Sequence, residues 1–166
     1  PGPDRNIPDR SPGLIRLICV GKNKDKALKS LETEYIRRIG AFDRIQVEEV
    51  KDEPNIHVDR EAEDRRVRDA EADRVLEKLK PDDRVVLLDL HGDMPDSEEF
   101  SRELIRRRDA GHLVFVIAGS LGPGEKLVKR ADSRLKLSDL TFTHMMTRVL
   151  LLEQIYRGFM IHAGRS

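Results

Sequence analysis

Short apolar runs recur along this chain, and each is followed by a segment whose apolar residues fall at helical spacing. That alternation constrains the fold more than any other feature. Residues 14–20, 85–88 and 113–118 are nearly continuous in apolar character, as expected of central strands covered on both faces. Between them lie Ala27, Leu28, Leu31, Tyr35, Ile36 and Ile39, and then Ala62, Val67, Ala70, Val75, Leu76 and Leu79, each set marking one side of a helix. Strands are predicted at 14–20, 44–50, 84–90, 113–118 and 134–137. Helices are predicted after Gly21, over 59–80, after Asp96, over 124–131 and over 143–162. Strand and helix alternate throughout, so the fold class is α/β with a parallel sheet.

A length of 166 residues suits one such domain, placed here at 14–166. Residues 1–13 are rich in Pro, Gly, Asp and Arg and cannot bury a core, so a disordered N-terminal extension is expected. Lys and Arg together number 31, as do Asp and Glu, which removes the global positive excess of a free-standing nucleic-acid binder. Any RNA contact needs a local patch. Cys19 is the only cysteine, which excludes an internal disulfide and any cysteine-built metal site. With no signal-peptide pattern and no apolar run of spanning length, a soluble cytoplasmic protein is expected.

The glycine-bearing stretch from Gly119 to Lys126 follows a predicted central strand, where an open α/β sheet offers backbone to ligands. It is not a phosphate-binding P-loop: Glu125 separates the last glycine from Lys126, and Leu127 stands where Ser or Thr belongs. Two readings of these glycines remain, plain turns or a ligand cradle. The surroundings of Ser120 lack the Gly-x-Ser-x-Gly spacing of a hydrolase elbow, and the five histidines show no metal-ligand spacing, so no metal site is expected. Arg148, Glu153 and Arg157 lie on a strongly apolar final helix, where a charge needs an ion-pair partner or a ligand.

Four segments taken together are distinctive: Leu88-Asp89-Leu90-His91-Gly92, Phe115-Val116-Ile117-Ala118-Gly119-Ser120, Leu137-Ser138-Asp139-Leu140-Thr141-Phe142 and Glu153-Gln154-Ile155-Tyr156-Arg157. In this order and spacing, over about residues 14–164, the chain resembles the ribosomal RNA large subunit pseudouridine N3-methyltransferases. These are the minimal SPOUT class of trefoil-knot methyltransferases. The resemblance implies a deep C-terminal knot, a homodimer, S-adenosylmethionine as cofactor, and methylation of N3 of a pseudouridine in 23S ribosomal RNA within the ribosome. It implies cofactor contacts at Leu88, Ala118, Gly119, Leu137, Ser138, Asp139, Leu140, Thr141 and Phe142. The family commonly has Gly-Gly where this chain has Ala118-Gly119.

The catalytic candidates are His144 as proton acceptor or simple helix-start residue, and Arg148 and Arg157 as holders of phosphate or of a developing anionic base. No membrane or DNA partner is expected. Members of the family continue past the equivalent of Gly164 into a Tyr-His tail, whereas this sequence ends at Ser166. The expectation is a form that binds cofactor and methylates poorly. The rival readings are a non-catalytic knotted module holding a nucleotide-like ligand, and a dimeric protein whose last helix is only interface.

Overall fold

The computed structural model describes residues 14–54 and 60–165. Strands and helices alternate along them as β1 (Leu14–Val20), α1 (Lys26–Ile39), β2 (Arg44–Val50), α2 (Arg60–Leu76), β3 (Arg84–Asp93), α3 (Ser97–Ala110), β4 (Leu113–Ile117), α4 (Glu125–Arg130), β5 (Ser133–Leu135) and α5 (His144–His162). The strands form one sheet in the order β2-β1-β4-β3-β5, and every neighbouring pair is parallel. The expected α/β class is what forms. The predicted extension 1–13, His57, the predicted helix start at Asp59 and the terminal Ser166 lie outside the described residues.

Side-chain alternation along each strand divides the core into two layers. Ile15, Leu17 and Cys19 of β1, with Leu113, Phe115 and Ile117 of β4, pack under α1, α3 and α5. Ile18, Val20, Val114 and Val116 meet α2 and α4 on the other face. Cys19 is wholly enclosed, and burial pushes its thiol up to about 12, so it is an apolar core residue with no thiolate chemistry. Gly158 brings α5 close to α3: a Cβ there would lie 2.8 Å from Leu104 Cδ2, and Ser101 Oγ donates to the Gly158 carbonyl at 2.6 Å.

Helix ends follow their capping chemistry. Asp25 accepts from the N–H groups of Ala27 and Leu28, Asp96 from Glu99 N–H, and Thr143 from Met146 N–H. The second helix stops at Leu76 rather than near Lys80. Lys78 and Leu79 close tight turns onto Val75 and Leu76, and Pro81 disfavours helical backbone at the residue before it. β3 extends to Asp93, past the predicted Leu90, because Leu88 and Asp93 both pair with Leu135. Residues 89–92 therefore bow out as a strap across β5. The strap explains why β5 ends at Leu135, since Lys136 N–H then donates to the Asp93 carbonyl at 2.8 Å. No helix among the described residues is long and apolar enough to cross a membrane.

Candidate active site

From β1 the chain crosses on the α1 face toward the β2 edge, and from β4 it crosses on the α4 face toward β5. The two adjacent strands thus diverge at their carboxyl ends, the place where open α/β sheets bind ligands. Gly21 ends β1 with φ +94°, a value open to glycine and strained for other residues. A Cβ on Gly21 would stand 3.7 Å from His144 Nε2 and 3.9 Å from Asp52 Cβ. The start of α5 and the segment after β2 therefore converge on the end of β1.

At the end of β4, Ala118 is buried and Gly119 begins a turn closed by Gly122 N–H donating to the Gly119 carbonyl at 3.0 Å. The turn rests directly on α2. A Cβ on Gly119 would fall 2.8 Å from Glu71 Oε1 and 3.2 Å from Val20 Cγ1, and one on Gly124 would fall 2.8 Å from the Arg68 carbonyl. Backbone contact requires the glycine at 124, whereas at 119 a Cβ would displace the end of the Glu71 side chain. Glu71 is 6 % exposed; its Oε2 accepts from Glu53 N–H at 3.0 Å, while Oε1 has no hydrogen-bond partner among the described residues. Burial, reinforced by Asp52, raises the Glu71 pKa.

The other predicted cofactor positions flank β5. Leu88 is half-buried where the strap begins, and Leu137 packs against the core. Ser138 Oγ accepts from Leu140 N–H at 3.0 Å, bending the 137–142 segment, and Asp139 pairs with Lys136 at 2.6 Å. Thr141 is exposed, and Leu140 and Phe142 hold large apolar side chains in solvent, at 73 % and 43 % exposure. Leu88 lies inside β3 at the last residue before its bulge, while Ala118, Gly119 and residues 137–142 lie beyond the carboxyl ends of β4 and β5. None of them lines the cavity of 610 Å³ that opens between α3 and the β3–β5 edge beside Phe100, Phe115 and Arg134.

The three catalytic candidates separate. His144 is half-buried in the first turn of α5, and burial followed by the nearby Arg148 charge lowers its pKa, which leaves the imidazole neutral at neutral pH. Arg148 is fully enclosed. Its guanidinium donates to Glu49 at 2.6 Å and to the Gly21 carbonyl, and lies 3.7 Å from Glu32. Burial opposes the Glu49 charge, but Arg148 and the Asn23 N–H outweigh it and hold that carboxyl below its usual range. Arg157 is exposed on the outer side of α5, where it pairs with Glu153 one turn away.

Sequence reasoning passed over Glu32, Glu49 and Glu71, the acids that hold or underlie this edge. The first two come from segments distant from α5, and only Arg148, a cation on an apolar helix, hinted that they must exist. A trio of Asp82, Asp83 and His112 was also not foreseen; its ligand atoms lie within 4.8 Å of one another. Asp83 is already committed to Arg16 and the Lys80 N–H.

A parallel sheet with helices on both faces defines an α/β protein, and comparison with known proteins gives its family. The model described as "Predicted SPOUT methyltransferase" matches residues 14–166. The ribosomal RNA large subunit methyltransferase H of Lactobacillus acidophilus is 40% identical over 152 residues, covering 90% of this chain and 96% of that protein. Its namesake from Acetivibrio thermocellus is 41% identical with the same coverage. The SpoU methyltransferase AviRb from Streptomyces viridochromogenes aligns with a TM-score of 0.46 and 16% identity over 96% of this chain and 63% of that one, a likeness too distant to bear on function. The chain belongs to the SPOUT methyltransferases, in the ribosomal RNA large subunit methyltransferase H family.

Proposed function

We propose that this protein transfers a methyl group from S-adenosylmethionine to N3 of a pseudouridine in large-subunit ribosomal RNA, acting in the cytoplasm as a homodimer on assembled ribosomes. The observation that carries the reading is the carboxyl edge of the sheet, where Gly119 follows β4, the 137–142 segment bends just before α5, and His144 approaches Gly21 at the end of β1. Relatives at about 40% identity named as large-subunit rRNA methyltransferases support the substrate class. The strap over β5 supports the knotted path that the family resemblance implies.

Bound S-adenosylmethionine supplies a methyl group already activated by its sulfonium. The chain's own work is then alignment and proton removal. Leu88, Ala118, Gly119 and Leu137 through Phe142 hold the donor, with backbone N–H and C=O groups reading its polar edge. His144, kept neutral, takes the N3 proton. Arg148 fixes the floor beneath His144 through Gly21 and Glu49. Arg157 points to solvent and is assigned to RNA held across a dimer interface, where it meets the partner's site.

Transfer of labelled methyl from S-adenosylmethionine to ribosomes lacking the modification, compared with free rRNA, tests the reading. Incorporation at N3 of a pseudouridine, favoured on ribosomes, is expected. Donor binding without any transfer would favour a non-catalytic binding module, and light scattering that finds a stable monomer at micromolar concentration would overturn the dimer.

A further inference from the structure

Glu71 is a buried carboxylate beneath this edge that the mechanism does not use. Three observations mark it out. It comes from the middle of α2, 94 % enclosed, between Val67 and Val75, which are themselves buried. Its Oε2 is anchored by Glu53 N–H, which fixes the rotation of the carboxylate and leaves Oε1, without a partner among the described residues, where a Cβ of residue 119 would stand. Among the described residues no cation forms an ion pair with it. Arg74, whose charge acts on it from a distance, is occupied by Glu53 and the Lys51 carbonyl, and Asp52 and Glu53 add negative charge nearby.

A buried carboxylate without a counter-charge is costly and tends to hold a proton, which it gives up when something bound supplies the missing positive charge. What separates Glu71 from the turn is the thickness of one glycine, and any side chain at 119 would collide with its oxygens. Little polarisable material lies between, so the field of the carboxylate is poorly screened at the turn. A ligand seated on Gly119 therefore feels negative charge from below.

We propose that Glu71 is a specificity-determining residue of the donor crevice: its uncommitted carboxylate behind Gly119 selects a ligand that carries positive charge over the same ligand without it. The inference rests on the reading of the crevice as a methyl-donor site. Donor and spent donor differ in the required way, since loss of the methyl converts a cationic sulfonium into a neutral thioether. Selection by charge favours entry of S-adenosylmethionine and exit of S-adenosylhomocysteine, so turnover does not depend on shape alone.

Calorimetry on the full chain with both ligands provides the test, using Glu71→Gln, which keeps the shape and an acceptor for Glu53 N–H. The ratio of donor to product affinity should fall about tenfold or more in the variant, a change of about 1.4 kcal/mol in discrimination. Product affinity alone should move less than about threefold, on the same conversion. Equal weakening of both ligands, or no change in either, would show that Glu71 serves only the fold and would overturn the proposal. Binding of neither ligand by the unaltered chain would overturn the donor-site reading, and this inference with it. Should Glu71→Gln fail to give a native circular dichroism spectrum, Glu71→Asp, which withdraws the charge by one methylene, is read by the same ratio and should lower it by less.

Discussion

The strap over β5 offers the sharpest test of the fold, through Gly92→Ala. A Cβ at this position would lie 2.6 Å from the Arg134 carbonyl carbon, 2.7 Å from Leu135 N and 2.8 Å from the Arg134 carbonyl oxygen. All three are backbone atoms that no rotamer change can clear. Gly92 is not among the positive-φ glycines, so the penalty is contact rather than torsion. Relief requires the strap to lift, which strains the Lys136 N–H to Asp93 bond and the pairing of Leu88 and Asp93 with Leu135. Overpacking alone costs about 1–3 kcal/mol, and a weakened hydrogen bond about 1 more. A total of about 3 kcal/mol corresponds to a fall in Tm of roughly 6–12 °C for a domain of this size. The assay is thermal unfolding followed by circular dichroism at one fixed chain concentration, because the midpoint of a dimer moves with concentration. Affinity for S-adenosylmethionine should fall as well, since β5 carries the 137–142 bend. A variant melting within about 1 °C of the unaltered chain, well inside that range, would refute the close crossing.

Gly119→Val should weaken S-adenosylmethionine binding at least about tenfold by calorimetry, because its Cβ meets Glu71 and Val20 and its branched side chain is stiff; unchanged affinity would remove the turn from the site. Arg148→Ala leaves Glu32 and Glu49 without their cation and should cost about 3 kcal/mol in urea unfolding; a loss below about 1 kcal/mol would show that the acids relax into solvent. Glu71 has a raised folded pKa, so the stability it allows below the ordinary carboxylate range is lost as pH rises through that folded value. Glu71→Gln should therefore flatten this decline and gain stability relative to the unaltered chain near pH 7, and superimposable Tm profiles against pH would contradict it. Arg157→Ala removes only an exposed intrahelical pair and should cost under about 1 kcal/mol, yet lower methyl transfer to ribosomes; full transfer activity would remove Arg157 from RNA recognition.

Much of this architecture is written in local patterns. Alternation along 14–20 and 113–117 assigns each side chain to one of the two core layers, and the spacing of Asp96 from Glu99 marks a helix start that forms with the expected bond. The strap was not legible. Nothing local distinguishes Gly92 from an ordinary strand-ending glycine, because the atoms that require it belong to Arg134 and Leu135, more than forty residues away. The burial of Glu71 was hidden in a different way. The charges of α2 read as a solvated face, yet Glu63, Val67, Glu71 and Val75 form one inward stripe at a spacing of four. Glu63 is paired with Arg66 on the next turn, whereas Glu71 has no such partner among the described residues. Its position between two buried valines was the available signal.

The geometry of α5 makes the proposed dimer a requirement of the proposed chemistry. Arg148 and Arg157 are nine residues apart, which at about 100° per residue places them on opposite sides of the helix. Their surroundings agree, since Arg148 is sealed against Glu49 and Gly21 while Arg157 faces solvent. His144 lies a further turn back, so it and Arg157 are separated by about 20 Å along the axis at about 1.5 Å per residue. A single chain cannot bring both to one nucleotide. If His144 takes the proton and Arg157 grips the same nucleotide, the two must come from different protomers, with the outer side of one α5 facing the carboxyl edge of the other's sheet. Mixing His144→Ala chains with Arg157→Ala chains should then restore part of the transfer that each lacks alone, because a mixed dimer contains one unaltered site. Failure of the mixture to exceed either parent would place both residues in separate roles.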